Sequence, residues 1–431
     1  MYFSLNKNCF LIEGATNGAI YDLQNGEVYN INKETKKALK RLEDGSDIES
    51  IDVHGSLIKF LSNLSDIGVG NLSDQYHPQE KWDKFEQKRI KLNHLWLNLN
   101  SNCNLTCAHC YAEGNPFNKS QYLELNYIEK VLVDAVQSYN LDYVQLIGGE
   151  PLLLDRDYIA KIIDIAVQLK IPHIEIFTNG HAINDSYVEY FKSIENLSIA
   201  ISIYSHQKAI HDQITGKVGS WKKTVSTINK LLNAKIKIRF GVIAMEANKD
   251  SILQTCQWLK DHFGIDTSYD VVRSCGRGNN RKIIPRELFI NRHTRKEDNF
   301  LIPSHKLMEK TLFGNTCWAD KICVHFNGNV TPCEMDFSSI LGNIKHSTLS
   351  EILQGKEADN TLRLTKDKVE VCKDCEFRYV CWECRAMELQ LGVGLNEKPI
   401  TCSYNPYSGI WESTDTIEKK IFHNVSQQFQ E

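Results

Sequence analysis

The segment Leu95-Trp96-Leu97-Asn98-Leu99-Asn100-Ser101-Asn102-Cys103-Asn104-Leu105-Thr106-Cys107-Ala108-His109-Cys110-Tyr111 runs from an apolar β pattern directly into three thiols spaced Cys-x3-Cys-x2-Cys. A loop at the C-terminal end of a first strand is where β/α barrels place their chemistry. A redox iron-sulfur cubane normally takes four thiolates, so three would leave one iron open to a small chelating ligand. The same three cysteines with His109 would also make a zinc site, although zinc ribbons favour other intervals.

Outward from this segment the pattern repeats. Strands are expected at Leu95 to Leu99, Tyr143 to Ile147, His173 to Phe177, Leu197 to Ile203, Lys235 to Ala244 and Tyr269 to Val272. Amphipathic helices are expected between them, at Tyr127 to Ser138, Tyr158 to Leu169, Asp185 to Ile194, Trp221 to Asn233 and Ser251 to Phe263. Such alternation gives a parallel sheet with crossover helices. Six repeats over residues 90–275 fit an α/β fold of the partial (β/α)6 barrel type better than an open dinucleotide sheet.

The flanks read differently. Residues 1–85 carry short strands at Tyr2 to Ile12, Gly18 to Leu23 and Glu27 to Ile31, with an Asn25-Gly26 turn and helices at Lys33 to Leu42 and Ser56 to Leu64. That order suggests a winged-helix-like module, with Asp74 to Gln87 as its linker. Residues 276–316 are basic and irregular and read as a bridging region. Residues 317–431 lack long apolar runs and read as a separate, metal-stapled domain.

Fourteen cysteines in a chain without an export signal point to reduced thiols and metal ligation, hence to the cytoplasm. They fall in three groups: Cys103, Cys107 and Cys110; Cys317, Cys323 and Cys333; and Cys372, Cys375, Cys381, Cys384 and Cys402. Cys9, Cys256 and Cys275 stand alone and read as buried small apolar residues. No apolar run is long enough to cross a bilayer, so no membrane partner is expected. The formal charge of −4 gives no reason to expect nucleic acid; a DNA-binding winged helix would rest on Lys33, Lys36, Lys37, Lys40 and Arg41, which a solvated helix face also explains.

The segment from Cys103 to Tyr111 resembles the signature loop of the radical S-adenosylmethionine (SAM) superfamily. Gly148-Gly149-Glu150-Pro151 follows the second strand and is similar to that family's Gly-Gly-Glu motif. The resemblance implies a cluster on Cys103, Cys107 and Cys110 whose open iron binds SAM, with SAM contacts from Gly148, Gly149, Glu150, Asn179 and Ser202. Arg239, inside the fifth strand, is a further candidate for the SAM carboxylate.

The eight cysteines from Cys317 onward resemble the SPASM domain, in the pattern Cys317-x5-Cys323-x9-Cys333, Cys372-x2-Cys375-x5-Cys381-x2-Cys384 and then Cys402, with Gly328 five residues before Cys333. The resemblance implies one auxiliary cluster on Cys317, Cys323, Cys333 and Cys384 and another on Cys372, Cys375, Cys381 and Cys402, giving three 4Fe-4S clusters in all. The interval between Cys381 and Cys384 is one residue shorter than the family's usual spacing, which singles out Cys384. Residues 1–85 resemble the leader-binding module of peptide maturases.

Together the resemblances imply an oxidoreductase that cleaves SAM reductively and installs a thioether or carbon-carbon crosslink in a ribosomally made precursor peptide. Its partners would be that peptide with its leader and an external electron donor such as flavodoxin or ferredoxin. A sulfatase-maturating-type dehydrogenase and a non-catalytic zinc scaffold are the alternatives. No catalytic acid or base is singled out; His206, His211 and Asp212 lie near the barrel mouth in sequence.

Overall fold

Alternating apolar residues near the N-terminus build a sheet that is buried on both sides. The computed structural model describes residues 1–423 apart from 53–54, 79–84, 86–90, 119–120 and 298. Strands β1 (Tyr2–Leu5), β2 (Cys9–Glu13), β3 (Gly18–Asp22) and β4 (Glu27–Ile31) lead to helices α1 (Lys33–Glu43) and α2 (Ser56–Asp66) and strand β5 (Gly70–Ser73). β2, β3 and β4 form an antiparallel sheet, and β1 pairs with β5. Cys9, Leu11 and Ile20 pack with Leu39, Leu42, Leu61 and Leu64 of the helices. Phe10, Ile12, Ala19 and Tyr21 point the opposite way, onto Phe377, Tyr379, Val380 and Tyr404. The Tyr21 hydroxyl donates to the Glu376 carbonyl at 2.7 Å. The linker expected at 74–87 lies mostly outside the described residues.

The barrel follows: β6 (His94–Asn98), α3 (Leu125–Tyr139), β7 (Tyr143–Ile147), α4 (Arg156–Gln168), β8 (His173–Thr178), α5 (Asp185–Lys192), β9 (Leu197–Ser202), α6 (Lys208–Thr215), α7 (Ser220–Asn233), β10 (Lys237–Gly241), β11 (Ile243–Ala244), α8 (Ile252–Phe263) and β12 (Asp270–Val271). β6 to β10 run parallel, and β11 pairs in parallel with β12. The strand period of two sorts their side chains. Leu95, Leu97, Val144, Leu146, Ile174, Ile176, Ile199 and Ile201 join the helices in the main core. Trp96, Ile147 and Phe177 pack together on the other face. The helices meet the sheet through stripes such as Ile128, Val131, Leu132 and Ala135 of α3.

Three expectations change. The 276–316 stretch is not irregular throughout, since it contains α9 (Arg286–His293) and α10 (His305–Phe313). These are two turns long and bury only Phe289, Ile290 and His293, or Met308 and Thr311, too short a stripe to show in periodicity. The cysteine-rich C-terminal part is not separate from the barrel. Its first strand, β13 (Lys321–His325), pairs in parallel with β6, and β14 (Asn329–Thr331) and β15 (Gly342–Asn343) extend the same eight-stranded sheet. The short run Ile322-Cys323-Val324 between two ligand-like cysteines hides that strand. Helix α6 was also not expected; its two turns bury His211, Ile214 and Thr215 and end at Gly216.

Candidate active site

Successive barrel strands end around one cavity. Its lining includes Cys103, Cys107, Cys110, Gly148, Gly149, Glu150, Asn179 and Ser202, so the triplet shares a single space with the positions expected to touch SAM other than Arg239. Ile147, Phe177, Gly241 and Val271, from four different strands, form its apolar wall. One cavity reached from so many strands means that the sheet curls around it.

The thiol loop is pinned by backbone on all sides. The Gly149 N–H donates to the Asn100 carbonyl at 2.7 Å and the Glu150 N–H to the Asn102 carbonyl at 2.8 Å. From α6, the carbonyls of Thr215 and Ile214 accept from the N–H groups of Thr106 and Ala108 at 3.1 and 2.9 Å. Arg277 clamps the loop, its Nε on the Cys107 carbonyl and its Nη2 on the Gly114 carbonyl, both at 2.9 Å. Asn179 donates to the Asn104 side chain at 2.7 Å. Gly148 has φ +151°, a region open to glycine, and approaches Asn100 closely.

Glu150 is buried, and its carboxylate accepts from the Thr178 hydroxyl at 2.6 Å, the Asn179 N–H at 2.8 Å and the Leu152 N–H at 3.2 Å. Burial pushes its pKa up to about 6, and these three donors oppose the rise. Burial also raises the Cys103 thiol to about 12 and Cys107 further. A bound cation inverts that balance, because coordination deprotonates the thiol. Three thiols facing a cavity beside a buried carboxylate suit a cationic centre with a small zwitterionic ligand.

Residues from far along the chain complete the wall: Arg273, Cys275, Arg277 and Met335. Cys275, expected to be only a buried apolar residue, is buried and also lines the cavity. Arg273 pairs with Asp270 at 2.7 Å and faces Cys384 and Glu334. Tyr204 and Tyr111 line the cavity as well, and the Tyr111 hydroxyl faces Cys110, Cys323, Cys333 and Glu334. Periodicity gives no sign of these side chains because loops deliver them.

The remaining cysteines divide into two neighbourhoods. Cys333 is raised by burial and by its neighbours Glu334, Cys317 and Cys384. Cys384 is pushed up to about 11 by burial, with Arg273 opposing and Cys317 adding. Cys323 faces Glu334 as Cys333 does, and its side chain packs with Trp96, Ile147 and Phe177. On the other side, Cys372 is pushed up to about 12 by burial, with Lys366 opposing and Cys402 and Cys381 adding. Cys375 is raised by burial, Cys402, Glu376 and Cys381. Gly328, at φ +91°, turns the chain between β13 and β14, which sets Cys323 opposite Thr331, two residues before Cys333.

Other candidates take different roles. Arg239 does not reach the cavity; its guanidinium holds Glu175 through two bonds of 2.7 and 2.6 Å. The Asp212 carboxylate accepts from the N–H groups of Gly219 and Trp221 and from the Ser220 hydroxyl, which organises the start of α7. His211 Nδ1 accepts from the Tyr204 N–H at 3.2 Å, and His206 meets Thr255.

Residues 97–259 match the radical SAM superfamily, and residues 317–376 match the iron-sulfur cluster-binding SPASM domain. The chain is 30% identical over 158 residues to the sporulation killing factor maturation protein SkfB of Bacillus subtilis, covering 36% of this chain and 37% of SkfB. It is 27% identical over 281 residues to the subtilosin biosynthesis protein AlbA of the same organism, covering 60% of this chain and 59% of AlbA. The chain thus spans less than two thirds of either relative. The fold is similar to Streptococcus suis SuiB bound to its precursor peptide SuiA, with a TM-score of 0.54 at 14% identity, covering 90% of this chain and 97% of that one. No helix among the described residues is long and apolar enough to cross a membrane.

Proposed function

The chain is a radical SAM protein with a SPASM extension, and from that premise we propose that it is a peptide maturase that installs a thioether or carbon-carbon crosslink in a ribosomally made precursor. The observation that carries the reading is the shared cavity. Cys103, Cys107, Cys110, Glu150, Asn179 and Ser202 line it, and the Cys333 loop closes it through Met335. A SAM-binding centre and the first auxiliary ligand loop therefore border the same space.

In this reading Cys103, Cys107 and Cys110 hold the SAM-binding cluster. Cys317, Cys323, Cys333 and Cys384 hold a first auxiliary cluster, and Cys372, Cys375, Cys381 and Cys402 a second. The side chains of Cys381 and Cys384 diverge toward different neighbours, so the short interval between them is compatible with both assignments. Held at a cluster on Cys103, Cys107 and Cys110, SAM would supply hydrogen-atom abstraction chemistry to this cavity on reductive cleavage. Glu150, held by Thr178 and the Asn179 N–H, orients the SAM amino group, while Gly148 and Gly149 allow close approach. Ile147, Phe177 and Val271 keep water from the reacting end of the cavity.

The names of the relatives support a peptide substrate: SkfB serves maturation of the sporulation killing factor, AlbA serves biosynthesis of the bacteriocin subtilosin, and SuiB was solved bound to its precursor peptide. Among the described residues the half-exposed β4 is a terminal strand of its sheet, and it offers an extended leader a place to add a strand. A small ferredoxin- or flavodoxin-like donor would deliver the first electron, and many thiols with no expected disulfide framework support a cytosolic setting.

The test is co-expression with a precursor peptide encoded beside the chain, followed by mass spectrometry. A loss of two hydrogens that disappears in a Cys103→Ala/Cys107→Ala/Cys110→Ala variant is the expected result. An unmodified peptide beside a colourless, iron-free protein would overturn the reading in favour of a zinc scaffold.

A further inference from the structure

Two buried cations beside the second auxiliary group keep hydrogen-bond donors unspent. Lys366 is 4% exposed and Arg295 is 1% exposed. Lys366 Nζ lies 2.7 Å from Glu383 Oε2, and apart from that ion pair the buried ammonium meets no acceptor among the described residues. Arg295 spends one Nη on Glu388 at 2.9 Å and on the Thr401 hydroxyl, while its buried Nε–H has no partner among the described residues. Both face the same cage: Lys366 is beside Cys372 and Cys381, and Arg295 is beside Cys381 and Cys402.

A buried N–H without an acceptor is costly, so a fold that keeps two of them around four thiols implies an acceptor in the space between. Sulfur atoms of an anionic iron-sulfur cluster are acceptors of that kind. Glu383 is in turn held by Arg385, at 2.7 Å, and by Asn315, at 3.2 Å, so its charge is compensated from behind. Glu376 is the carboxylate on the opposite, Cys375 side, and the Tyr404 hydroxyl bonds it there.

We infer that Lys366 and Arg295 are positioning residues that hydrogen-bond the second auxiliary cluster and raise its reduction potential. This rests on the reading that Cys372, Cys375, Cys381 and Cys402 hold that cluster. Reduction adds one electron to an already anionic group. Nearby positive charge and N–H donors stabilise the reduced form more than the oxidised form. The second cluster is thereby poised to keep an electron that arrives from the substrate side.

The experiment is a potentiometric titration of the anaerobically reconstituted full chain, followed by electron paramagnetic resonance. In Lys366→Met one cluster signal should be reduced only at a lower potential while the others stay in place. Lys366→Arg should return that signal toward the wild-type position. If Lys366→Met does not retain its iron, Arg295→Lys keeps the charge, removes the Nε donor, and should lower the same signal. Full iron with every potential unmoved would overturn the inference. A wild-type chain whose four C-terminal thiols hold no iron would instead overturn the reading on which it stands.

Discussion

The carbonyl oxygen of Asn102 occupies the position that a β-carbon on Gly149 would need. The contact joins the strand-end turn to the thiol loop, and the Glu150 N–H bond to that same carbonyl fixes its direction. A Gly149→Ala chain must push the loop carrying Cys103 away from the turn. Displacements of about 1 Å at a reacting centre cost on the order of 100-fold in rate. We expect SAM cleavage to fall by about that factor while the C-terminal clusters keep their spectra; cleavage within a few-fold of wild type would show that the loop yields freely.

Glu150 presents both carboxylate oxygens to donors, and an amide cannot do the same. In Glu150→Gln one amide N–H must face the Thr178 hydroxyl, the Leu152 N–H or the Asn179 N–H, at a cost of about 1–3 kcal/mol. SAM affinity should drop about tenfold or more, with iron content unchanged. Equilibrium binding of SAM to the reconstituted chain measures this, and wild-type affinity would exclude Glu150 from the SAM site.

Cys384→Ala and Cys402→Ala should injure different clusters. Cys384 neighbours Cys317 and Arg273, whereas Cys402 neighbours Cys372, Cys375 and Cys381. Each 4Fe-4S cluster brings about four irons, so an intact chain carries about twelve and loss of one cluster leaves about eight. The two variants should therefore lose different resonance signals, and the double variant should lose both. Loss of the same signal in both would show that the two groups share one site.

How far the sequence reaches can be judged residue by residue. Gly148 to Glu150, Asn179 and Ser202 were legible because each lies at or just after the end of a strong apolar strand, and the triplet because its spacing stands out in the loop that follows β6; all of them line one cavity. Arg273, Arg277 and Met335 were not, since their place depends on how loops after β12 and β14 fold back. Arg239 misled because a strand residue can face either side, and its partner Glu175 becomes visible only once β10, β9 and β8 lie next to one another. β13 was missed because two cysteine-rich intervals surround a five-residue strand, and its partner β6 lies more than two hundred residues earlier.

His211 gives a pH dependence with a definite sign. Burial lowers its pKa to about 4, and the Tyr204 N–H occupies Nδ1, so the neutral ring is the one the fold accepts. The unfolded chain, near the ordinary value of 6.5, binds a proton that the folded chain refuses between those two values. Stability contributed by His211 is complete above pH 6.5 and is lost as pH falls toward 4. At pH 5.5 the loss from this group is roughly 1.4 kcal/mol. Denaturant midpoints at pH 7.5 and 5.5 should separate less in His211→Gln than in wild type; equal separations would show that His211 titrates normally.

Removing residues 1–85 should damage the second auxiliary site and not simply detach an independent module. Phe10, Ile12 and Tyr21 cover Phe377, Tyr379, Val380 and Tyr404, in the segments that carry Cys375, Cys381 and Cys402. The Ala15 N–H donates to the Asp374 carbonyl at 2.7 Å and the Arg378 guanidinium to the Glu13 carbonyl at 2.9 Å. Uncovering each large apolar side chain costs roughly 1.5–3 kcal/mol, so several at once exceed what a short cysteine-stapled loop can bear. We expect the deleted chain to hold about eight irons where the full chain holds about twelve. A deleted chain with full iron would mean that the two parts are energetically independent. A cleaner probe of leader binding leaves that contact in place and alters only the exposed side of β4: Asn30→Lys should weaken leader affinity, read by fluorescence anisotropy, with iron content and SAM cleavage unchanged.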